Sequence, residues 1–385
     1  MKIAIDARWI FPEISGIGTY TVQLLEHLAV LDPDNDYLLL FQDPALRDRT
    51  LAAPPIAQAP RFKACLVPYG LFSLRNQWAL PRLLAREQAD IYHSTNYMMP
   101  LWAPPFTHRV KRVATVHDVI PLAMPDHAPN SKKSRLFPIY KFLMRQIGHR
   151  ADAIITDSQA SKRDIVRHLR IAPEAEGKIK VVYCGVSDRF QPVHTDKTDG
   201  EKTVLYVGRQ DPYKNLAGLI RVFSELKKNL DMPVRLVIAG SPDPRYPEPF
   251  RLAKELDVER DIVCTGYLPL DRLVDTYGQA DVLAHPSKYE GFGLQVIEAM
   301  ACGLPVVCGN GSSLPEVAGD AAIQVDPDNI AAFAQAIADV LTQPDLATTL
   351  SVKGIEQAAR FNWKKTATET LRVYRETAEG GRNSF

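Results

Sequence analysis

The sequence predicts an α/β protein built from two Rossmann-like domains, each a parallel sheet with helices on both faces. Short β-branched, apolar runs alternate with helical patterns along all 385 residues, as in parallel sheets that are buried on both sides. Twelve such runs are too many for an ordinary open sheet. The polar stretch 191–201 has no apolar periodicity and separates two equal sets, so we expect two domains facing each other across a cleft.

Six strands are predicted in each half of the chain. They are Lys2–Asp6, Tyr37–Phe41, Asp90–His93, Arg112–His117, Ala153–Thr156, Lys180–Tyr183, Thr203–Val207, Val234–Ala239, Asp261–Cys264, Asp281–Ala284, Pro305–Cys308 and Ala321–Val325. Helical patterns between them include Thr19–Leu31, Leu216–Leu230, Leu294–Cys302 and Ile330–Leu341. The first domain is therefore expected at 1–190, the linker at 191–201 and the second domain from 202. Ligands of such sheets bind beyond the carboxyl ends of the strands.

Composition excludes several classes of protein. The net charge of +1 is unlike that of a nucleic-acid coat protein, so no nucleic-acid partner is expected. Residues 1–190 hold 25 Lys and Arg against 18 Asp and Glu, whereas residues 191–385 hold 21 against 27, so the first half suits an anionic partner better. The apolar start of the chain carries Asp6 and Arg8, which predicts a strand and not a signal peptide. The sequence contains no uncharged apolar run of about 18 residues, so no membrane span is predicted.

The segment 286–305, PSKYEGFGLQVIEAMACGLP, holds the strongest chemical signal. Glu290 ends a loop, and a Gly-Phe-Gly turn leads into a helix that contains Glu298. The free N–H groups and positive dipole of a helix N-terminus bind phosphate, and Gly293 allows a ligand to approach closely. We interpret Glu290 as a carboxylate placed for sugar hydroxyls and Glu298 as one placed for a ribose. The alternative is a tight turn with two solvated glutamates.

The loop 208–215, GRQDPYKN, follows the predicted strand Thr203–Val207. The rigid fork of Arg209 and the point charge of Lys214 suit a diphosphate that must leave with negative charge. The alternative is an ordinary polar loop in which Lys214 begins a helix.

Two loops of the first half add weaker signals. SGIGT at 15–19 contains Gly16 and Gly18 and opens a helix, but it has neither the third glycine of a dinucleotide fingerprint nor the lysine of a Walker A loop. VHDVIP at 116–121 places His117 and Asp118 at a strand end. There His117 could donate to a sugar hydroxyl or phosphate and Asp118 could orient it, and a purely structural histidine is the alternative.

Taken in order along the chain, these motifs resemble the retaining glycosyltransferases of family four, which have the GT-B fold. The E-x7-E motif of that family is matched by Glu290 and Glu298, and G-R-x-x-x-x-K-N is matched by Arg209 and Lys214. Three further segments resemble that family: TDSQASKRDI at 156–165, VVYCGVSDRF at 181–190 and SSLPEVAGDAAIQVDP at 312–327. The resemblance covers essentially the whole chain.

The resemblance implies roles in binding and activating a nucleotide-sugar donor. Arg209 and Lys214 would bind the donor diphosphate and stabilise it as the leaving group. Glu298 would bind the ribose, and Glu290 would contact the donor sugar near its anomeric carbon. The other implied donor contacts are Gly16, Gly18, Leu268 at the base, Phe292, Gly293 and Leu294. In the first domain His117, counted with the catalytic residues, would contact the transferred sugar, and Asp118 would lie on the acceptor side.

The same resemblance implies further features of the chain and its reaction. The second domain would end at 362, and the last helix, 363–385, would cross back to the first domain. Transfer would retain the α configuration and need no metal and no cofactor. The opening KIAIDARWI with SGIGTYT and VHDVIP resembles a subset that transfers mannose, rhamnose or glucose in bacterial surface polysaccharide assembly. GDP-mannose is therefore the first expected donor and a UDP-sugar the next, with a saccharide or lipid-linked saccharide as the acceptor, in polysaccharide or lipopolysaccharide biosynthesis.

The sequence alone leaves several alternative functions open. They are a UDP-sugar-dependent glucosyltransferase, a sugar-nucleotide epimerase or phosphorylase of the same fold, a non-catalytic nucleotide-sugar sensor and a Rossmann dehydrogenase. An epimerase would turn over its nucleotide sugar without an acceptor. One dinucleotide cofactor does not explain two equal domains, and the third glycine is missing.

Two features bear on metals. DPDND at 32–36 contains D-x-D twice, a motif of metal-dependent transferases of another fold, but it falls between a helix and a strand, where we interpret it as a turn. The five cysteines form no C-x-x-C pair, which predicts a reduced, cytoplasmic protein without a zinc site. They are Cys65, Cys184, Cys264, Cys302 and Cys308.

The segment 131–150, SKKSRLFPIYKFLMRQIGHR, has six basic residues and no acidic one. Its apolar residues Leu136, Tyr140, Leu143 and Ile147 fall on one helical stripe, which Pro138 is expected to interrupt. Such a helix can lie on an anionic membrane surface, as a peripheral protein would on the inner face of the plasma membrane. The alternative is a helix that faces the core and has a solvated basic edge.

Overall fold

The computed structural model describes residues 1–12, 16–101, 110–125, 136–192 and 200–380. These form two compact units. Unit 1 comprises the described residues of Met1–Val119, Leu136–Gly185 and Asn362–Phe385, and unit 2 those of Ile120–Arg135 and Val186–Phe361. Most of the linker predicted at 191–201 lies outside the described residues. The domain bounds inferred from the sequence, which end the second domain at 362, stay a prediction.

Unit 1 contains a seven-stranded parallel sheet with the order β3-β2-β1-β4-β5-β6-β7. Its strands are β1 (Lys2–Asp6), β2 (Asp36–Phe41), β3 (Phe62–Leu66), β4 (Ile91–Ser94), β5 (Lys111–Thr115), β6 (Ala153–Thr156) and β7 (Ile179–Val181). The chain adds strands outward from β1 to β3 on one side of the sheet and from β4 to β7 on the other. The topological switch point of this sheet therefore lies between β1 and β4.

The helices of unit 1 lie between these strands along the chain, except for the last helix, which follows unit 2. They are α1 (Gly16–Leu31), α2 (Pro44–Leu51), α3 (Pro54–Ala57), α4 (Ala79–Arg86), α5 (Phe137–Arg150), α6 (Gln159–Leu169) and α7 (Trp363–Glu379). The last of them packs against α1. Its fully buried Tyr374 shares a hydrogen bond of 2.6 Å between its hydroxyl and Nδ1 of His93 on β4, which ties the C-terminal helix to the sheet.

Unit 2 contains a six-stranded parallel sheet with the order β10-β9-β8-β11-β12-β13. Its strands are β8 (Lys202–Val207), β9 (Val234–Ala239), β10 (Ile262–Gly266), β11 (Val282–His285), β12 (Val306–Gly309) and β13 (Ile323–Val325). The switch point here lies between β8 and β11. Both sheets therefore have the order of a doubly wound Rossmann sheet.

The helices of unit 2 are Ile120–Ala123, α8 (Leu216–Asn229), α9 (Glu248–Glu255), α10 (Leu270–Gln279), α11 (Leu294–Ala301), α12 (Leu314–Ala318), α13 (Ile330–Thr342) and α14 (Pro344–Ala358). The core between α8, α13 and the sheet includes Phe223 and Phe333, which are fully buried. No helix in the described part of the chain combines the length and apolar character needed to cross a membrane.

The structure differs from the predicted strands by one added strand and by shifts of one or two residues at several strand ends. It adds β3, which the sequence did not predict. This strand lies at the edge of the sheet beside β2, and only Phe62 of its five residues is buried, so it is not apolar throughout. The structure also ends β5 at Thr115, so His117 lies in the loop after the strand and not in it.

Candidate active site

The switch point of unit 2 brings together two loops that are distant in sequence. The loop after β8 carries Lys214, and the loop after the neighbouring strand β11 carries Glu290. Because parallel strands end at the same edge of the sheet, both side chains lie beyond that edge, where ligands of doubly wound sheets bind.

Glu290 and Lys214 form a buried ion pair. Lys214 Nζ donates to both carboxylate oxygens of Glu290, at 2.7 Å to Oε1 and 2.8 Å to Oε2. The side chains are 9% exposed for Lys214 and 7% for Glu290. A third group, His285 at the end of β11, donates from Nε2 to Oε1 of Glu290 at 2.8 Å. The sequence predicted that Glu290 and Lys214 contribute to one site, and the structure brings them into direct contact.

The electrostatics of this cluster keep Glu290 ionised. Burial by itself acts to raise the pKa of Glu290, but the charge of Lys214 and the hydrogen bond from His285 outweigh it and hold the pKa well below its ordinary value of 4.5. The carboxylate is thus an acceptor for hydrogen bonds across the physiological pH range.

The backbone around Glu290 is fixed by two serines of the turn that precedes α12. The N–H of Glu290 donates to Ser312 Oγ at 3.0 Å, and Ser313 Oγ donates to the carbonyl oxygens of Glu290 and Phe292 at 3.0 and 2.9 Å. Gly293 directly precedes α11 as its N-cap and has a φ of 103°, a left-handed conformation that favours glycine. The predicted turn into a helix is present, with Phe292 buried and Leu294 half-buried.

Glu298 lies in the second turn of α11, in a different environment from Glu290. Its Oε2 accepts a hydrogen bond of 2.9 Å from the hydroxyl of Tyr277. Burial raises the pKa of Glu298 to about 7, and the Tyr277 hydrogen bond only partly offsets this. No ion pair is formed by Glu298 among the residues that the structure describes. Near neutral pH this carboxyl group is therefore poised between its neutral and charged forms.

The remaining predicted donor residues of unit 2 lie apart from the ion pair. Arg209 has a side chain that is 73% exposed and pairs with Asp211 at 2.8 Å, so the structure does not bring it onto Glu290. Leu268 is half-buried in the loop between β10 and α10. Both residues still follow carboxyl ends of strands, where the sequence placed them.

In unit 1 the candidate group is His117, in the loop after β5. Its Nδ1 donates to Asp157 Oδ2 at 2.6 Å, and its Nε2 lies 3.1 Å from the carbonyl oxygen of Thr95. Burial acts to lower the pKa of His117, but the charge and hydrogen bond of Asp157 raise it more. Since both partners are acceptors, the raised pKa fits a ring that carries hydrogen on both nitrogens.

The other predicted residues of unit 1 occupy nearby chain positions. Asp118 is half-buried beside His117 in sequence. Gly16 is exposed and Gly18 buried in the first turn of α1, so the predicted glycine-rich opening of a helix is present from Gly16 onward. Residues 13–15, which include the serine of SGIGT, lie outside the described residues.

Helix α5 corrects the interpretation of the basic segment at one point. Pro138 lies in the first turn of the helix, where proline is tolerated, so it does not interrupt the stripe. Of the predicted stripe, Tyr140 and Ile147 are buried and Leu143 is half-buried, whereas Leu136 is exposed. Residues 131–135 lie outside the described residues.

The opposite side of α5 exposes large apolar groups. Ile139 is 56% and Phe142 50% exposed, and Lys141, between them in the sequence, is exposed as well. The helix therefore has a buried edge and an exposed edge that is both apolar and basic.

The DPDND segment forms a turn held by its own side chains. Both oxygens of Asp32 accept hydrogen bonds, from the amides of Asp34 and Asn35 and from the side chains of Asn35 and Tyr37. The part of the chain that the structure describes contains no group of three or more His, Cys, Asp or Glu residues that could hold a metal ion.

Sequence reasoning missed four side chains that form hydrogen bonds with Glu290 or His117. His285 directly follows the predicted strand Asp281–Ala284 and lies five residues before Glu290, and that spacing was the available signal. Asp157 lies within TDSQASKRDI, a segment noted only for its resemblance. The serines Ser312 and Ser313 open another such segment, but hydrogen bonds to the backbone of Glu290 leave no periodic pattern in the sequence.

Comparison with known protein families covers nearly all of the chain. Residues 14–190 match the family Glycosyltransferase Family 4, and residues 187–357 match the family Glycosyl transferases group 1. O-antigen chain mannosyltransferase B of Escherichia coli is 29% identical to this chain, over 97% of this chain and 100% of its own length. A D-inositol 3-phosphate glycosyltransferase of Corynebacterium efficiens is 30% identical, over 73% of this chain and 68% of its own length.

Solved structures with the same architecture share less of the sequence. Sucrose-phosphate synthase from Thermosynechococcus elongatus has a TM-score of 0.76 at 23% identity, covering 97% of this chain and 98% of its own. The Anabaena protein HepE in complex with UDP-glucose has a TM-score of 0.75 at 18% identity, covering 98% and 100%. These likenesses show the fold, an α/β GT-B architecture of two Rossmann-like domains, as the sequence predicted.

Proposed function

The chain belongs to the group 1 glycosyltransferases, and from this premise we propose that it is a retaining, metal-independent hexosyltransferase. It takes a hexose from a nucleotide-sugar donor, with GDP-mannose as the first choice, and transfers it to a saccharide or lipid-linked saccharide. Its product belongs to surface polysaccharide or lipopolysaccharide biosynthesis in the cytoplasm. The observation that carries the proposal is the buried Lys214–Glu290 pair at the switch point of unit 2.

In this proposal the donor diphosphate is held by cations and by a helix N-terminus. Lys214 turns its ammonium from Glu290 to the diphosphate, and Arg209, which is mostly exposed, swings to the same group. The N-terminus of α11 at Gly293 and Leu294 adds N–H groups and a positive dipole end. Together these stabilise the negative charge that develops as the diphosphate leaves.

The two glutamates and the histidine then position the sugar and the ribose. Glu290, which stays ionised, accepts hydrogen bonds from hydroxyls of the donor sugar near its anomeric carbon. Glu298 accepts from the ribose hydroxyls, and Leu268 lies near the base. On the other unit His117 turns its Nε2–H from the carbonyl oxygen of Thr95 to the transferred sugar, with Asp118 on the acceptor side. No step requires a metal, because the charge of the leaving group is met by Lys214 and Arg209.

The choice of donor and acceptor is supported by relatives. The Escherichia coli relative that spans the whole chain is named an O-antigen chain mannosyltransferase, which favours mannose as the sugar and a polysaccharide as the product. A second candidate is transfer from a UDP-sugar such as UDP-glucose, which is favoured by the likeness of the fold to HepE in complex with UDP-glucose.

A lipid-linked acceptor would need the enzyme near the membrane. The exposed edge of α5, with Ile139, Lys141 and Phe142, supports peripheral docking of the basic segment 131–150 on an anionic surface. Sedimentation with anionic liposomes tests this, since the wild type should pellet with them and the variant Ile139→Ser with Phe142→Ser should not. Absence of binding by the wild type would contradict the membrane docking.

The experiment that tests the proposed function is a thermal shift against GDP, UDP, ADP, dTDP and their sugars, without metal and with EDTA. A ligand that binds only the folded protein raises the midpoint of unfolding by mass action. We expect a shift with GDP and GDP-mannose, followed by transfer activity that EDTA does not inhibit. A shift with UDP-sugars alone would favour the second candidate, and no shift with any nucleotide would contradict the assignment of the donor site.

A further inference from the structure

His285 is a buried histidine that the proposed reaction does not yet use. It ends β11, has no exposed surface and points its Nε2 at the carboxylate of Glu290. Because a carboxylate oxygen only accepts, Nε2 carries the hydrogen of this bond. The other ring nitrogen, Nδ1, is also buried and has no hydrogen-bond partner among the described residues. Glu290 is thus the polar contact that accounts for the orientation of this ring.

The hydrogen bonds to Glu290 are distributed unequally between its two donors. Lys214 donates to both oxygens, and His285 adds a second donor to Oε1 only. The serines Ser312 and Ser313 bind the backbone of Glu290 and not its carboxylate. If Lys214 leaves, His285 is, among the described residues, the side-chain donor that still reaches the carboxylate.

The proposed reaction requires that departure, because it assigns Lys214 to the donor diphosphate. A buried carboxylate that loses its ion-pair partner is strongly destabilised unless another donor remains. We propose that His285 is a positioning residue that holds the Glu290 carboxylate in place while Lys214 turns to the diphosphate. This inference rests on the proposed function and goes beyond it by assigning a role to a residue that touches neither phosphate nor sugar.

A pair of substitutions separates the hydrogen bond from the packing of the ring. In His285→Gln the side-chain amide nitrogen reaches about as far as Nε2 and can donate to Glu290. In His285→Asn the amide is one methylene shorter and does not reach. His285→Leu keeps an apolar side chain of similar size without a donor, and replaces the Asn variant if that variant does not fold.

A matched control lies on the neighbouring strand. Cys308 is the register partner of His285 across β11 and β12 and is likewise fully buried. Cys308→Ala therefore disturbs packing at the same level of the sheet without removing a donor to Glu290.

The experiment measures affinity for GDP and UDP by calorimetry, turnover of the nucleotide sugar and the thermal midpoint for each variant. We expect turnover to fall on the order of 10- to 100-fold in His285→Asn, the usual range for a lost hydrogen bond to a charged group, and affinity for the diphosphate to fall about 10-fold. His285→Gln should retain both within about threefold, and Cys308→Ala should change the midpoint alone.

Equal losses in His285→Gln and His285→Asn, or losses that only follow the thermal midpoint, would overturn the positioning role. If the wild type binds no nucleoside diphosphate, the proposed function is wrong and this inference falls with it. If the wild type turns over its donor and His285→Asn does so equally well, only this inference is wrong.

Discussion

Glu290 and Glu298 are eight residues apart on the same loop and helix, yet their carboxyl groups have opposite properties. The pKa of Glu290 is held well below its ordinary value, whereas the pKa of Glu298 is raised to about 7. Burial acts in the same direction on both. The difference is that Glu290 has Lys214 and His285 as partners, and Glu298 has the hydroxyl of Tyr277.

The comparison teaches that charge partners, and not burial, decide which carboxylate is permanently ionised. One motif can therefore supply two different functions, a fixed anion near the sugar and a titrating group near the ribose. Each partner comes from a different element of unit 2, so the motif by itself does not reveal the difference.

The largest expected effect comes from removing the cation of the first carboxylate. Lys214→Ala should lower turnover by about 10²–10³-fold, as for other groups that stabilise a developing negative charge. It should also lower the free energy of unfolding by about 3–5 kcal/mol, because Glu290 would stay buried without its partner. Steady-state kinetics and denaturant unfolding check both.

A matched control for this variant is Lys353→Ala. Lys353 is a lysine of unit 2 that pairs with Asp320 on the surface, and an exposed pair contributes about 0–1 kcal/mol. Turnover that is equal in Lys214→Ala and Lys353→Ala would contradict the role of Lys214.

A smaller effect is expected at the second carboxylate. Glu298→Gln should weaken binding of the nucleoside diphosphate about 10-fold, because one charged hydrogen-bond acceptor for the ribose is lost. In the wild type this affinity should rise as the pH rises through about 7, where Glu298 becomes ionised, and in the variant it should not. Calorimetric titrations at pH 6 and pH 8 measure this, and identical pH dependence of both proteins would show that Glu298 does not bind the ribose.

The two carboxylates should also give opposite slopes of stability against pH. The lowered pKa of Glu290 contributes stability that is present above about pH 4.5 and lost as the pH falls below it. The raised pKa of Glu298 contributes stability that is present below pH 4.5 and lost as the pH rises through about 7. Urea unfolding across this range should therefore show a shallower acid loss in Glu290→Gln and a shallower loss toward pH 7 in Glu298→Gln. If both variants showed the same dependence of stability on pH as the wild type, the opposite pKa shifts of Glu290 and Glu298 would be contradicted.

The smallest effect is expected in unit 1. There Asp157 is the charge partner of His117, as Lys214 is the charge partner of Glu290 in unit 2. The raised pKa of His117 contributes stability that is present below pH 6.5 and lost as the pH rises through the value in the folded protein. Asp157→Asn should reduce this loss, and an NMR titration of the His117 ring should show a lower pKa. An unchanged titration would mean that Asp157 does not set the charge of His117.

The sequence predicted the architecture because apolar strands and amphipathic helices leave a periodic pattern. Twelve of the strands were predicted, and the strand that was missed, β3, is an edge strand whose Lys63 is exposed and breaks the apolar run. The Leu216–Asn229 and Leu294–Ala301 helices begin where they were predicted to begin. Strand ends were less predictable, as at β5, because the last ladder hydrogen bonds depend on the neighbouring strand.

The site was predictable only in part. Lys214 and Glu290 follow neighbouring strands at a switch point, so their proximity follows from the fold. Asp157 was missed because a side chain that reaches across two loops has no fixed spacing from the residue that it contacts. His285 lies only five residues before Glu290, but a single histidine at a strand end does not reveal where its ring points. The roles of all of these residues in binding and catalysis stay predictions.

The central claim is that Lys214 exchanges Glu290 for the diphosphate of a nucleotide sugar. Calorimetric titration of GDP and GMP, and of UDP and UMP, into the wild type and Lys214→Ala tests it most directly. We expect the wild type to prefer one diphosphate over its monophosphate, and Lys214→Ala to lose that preference. Equal affinity of both proteins for the diphosphate would contradict the claim.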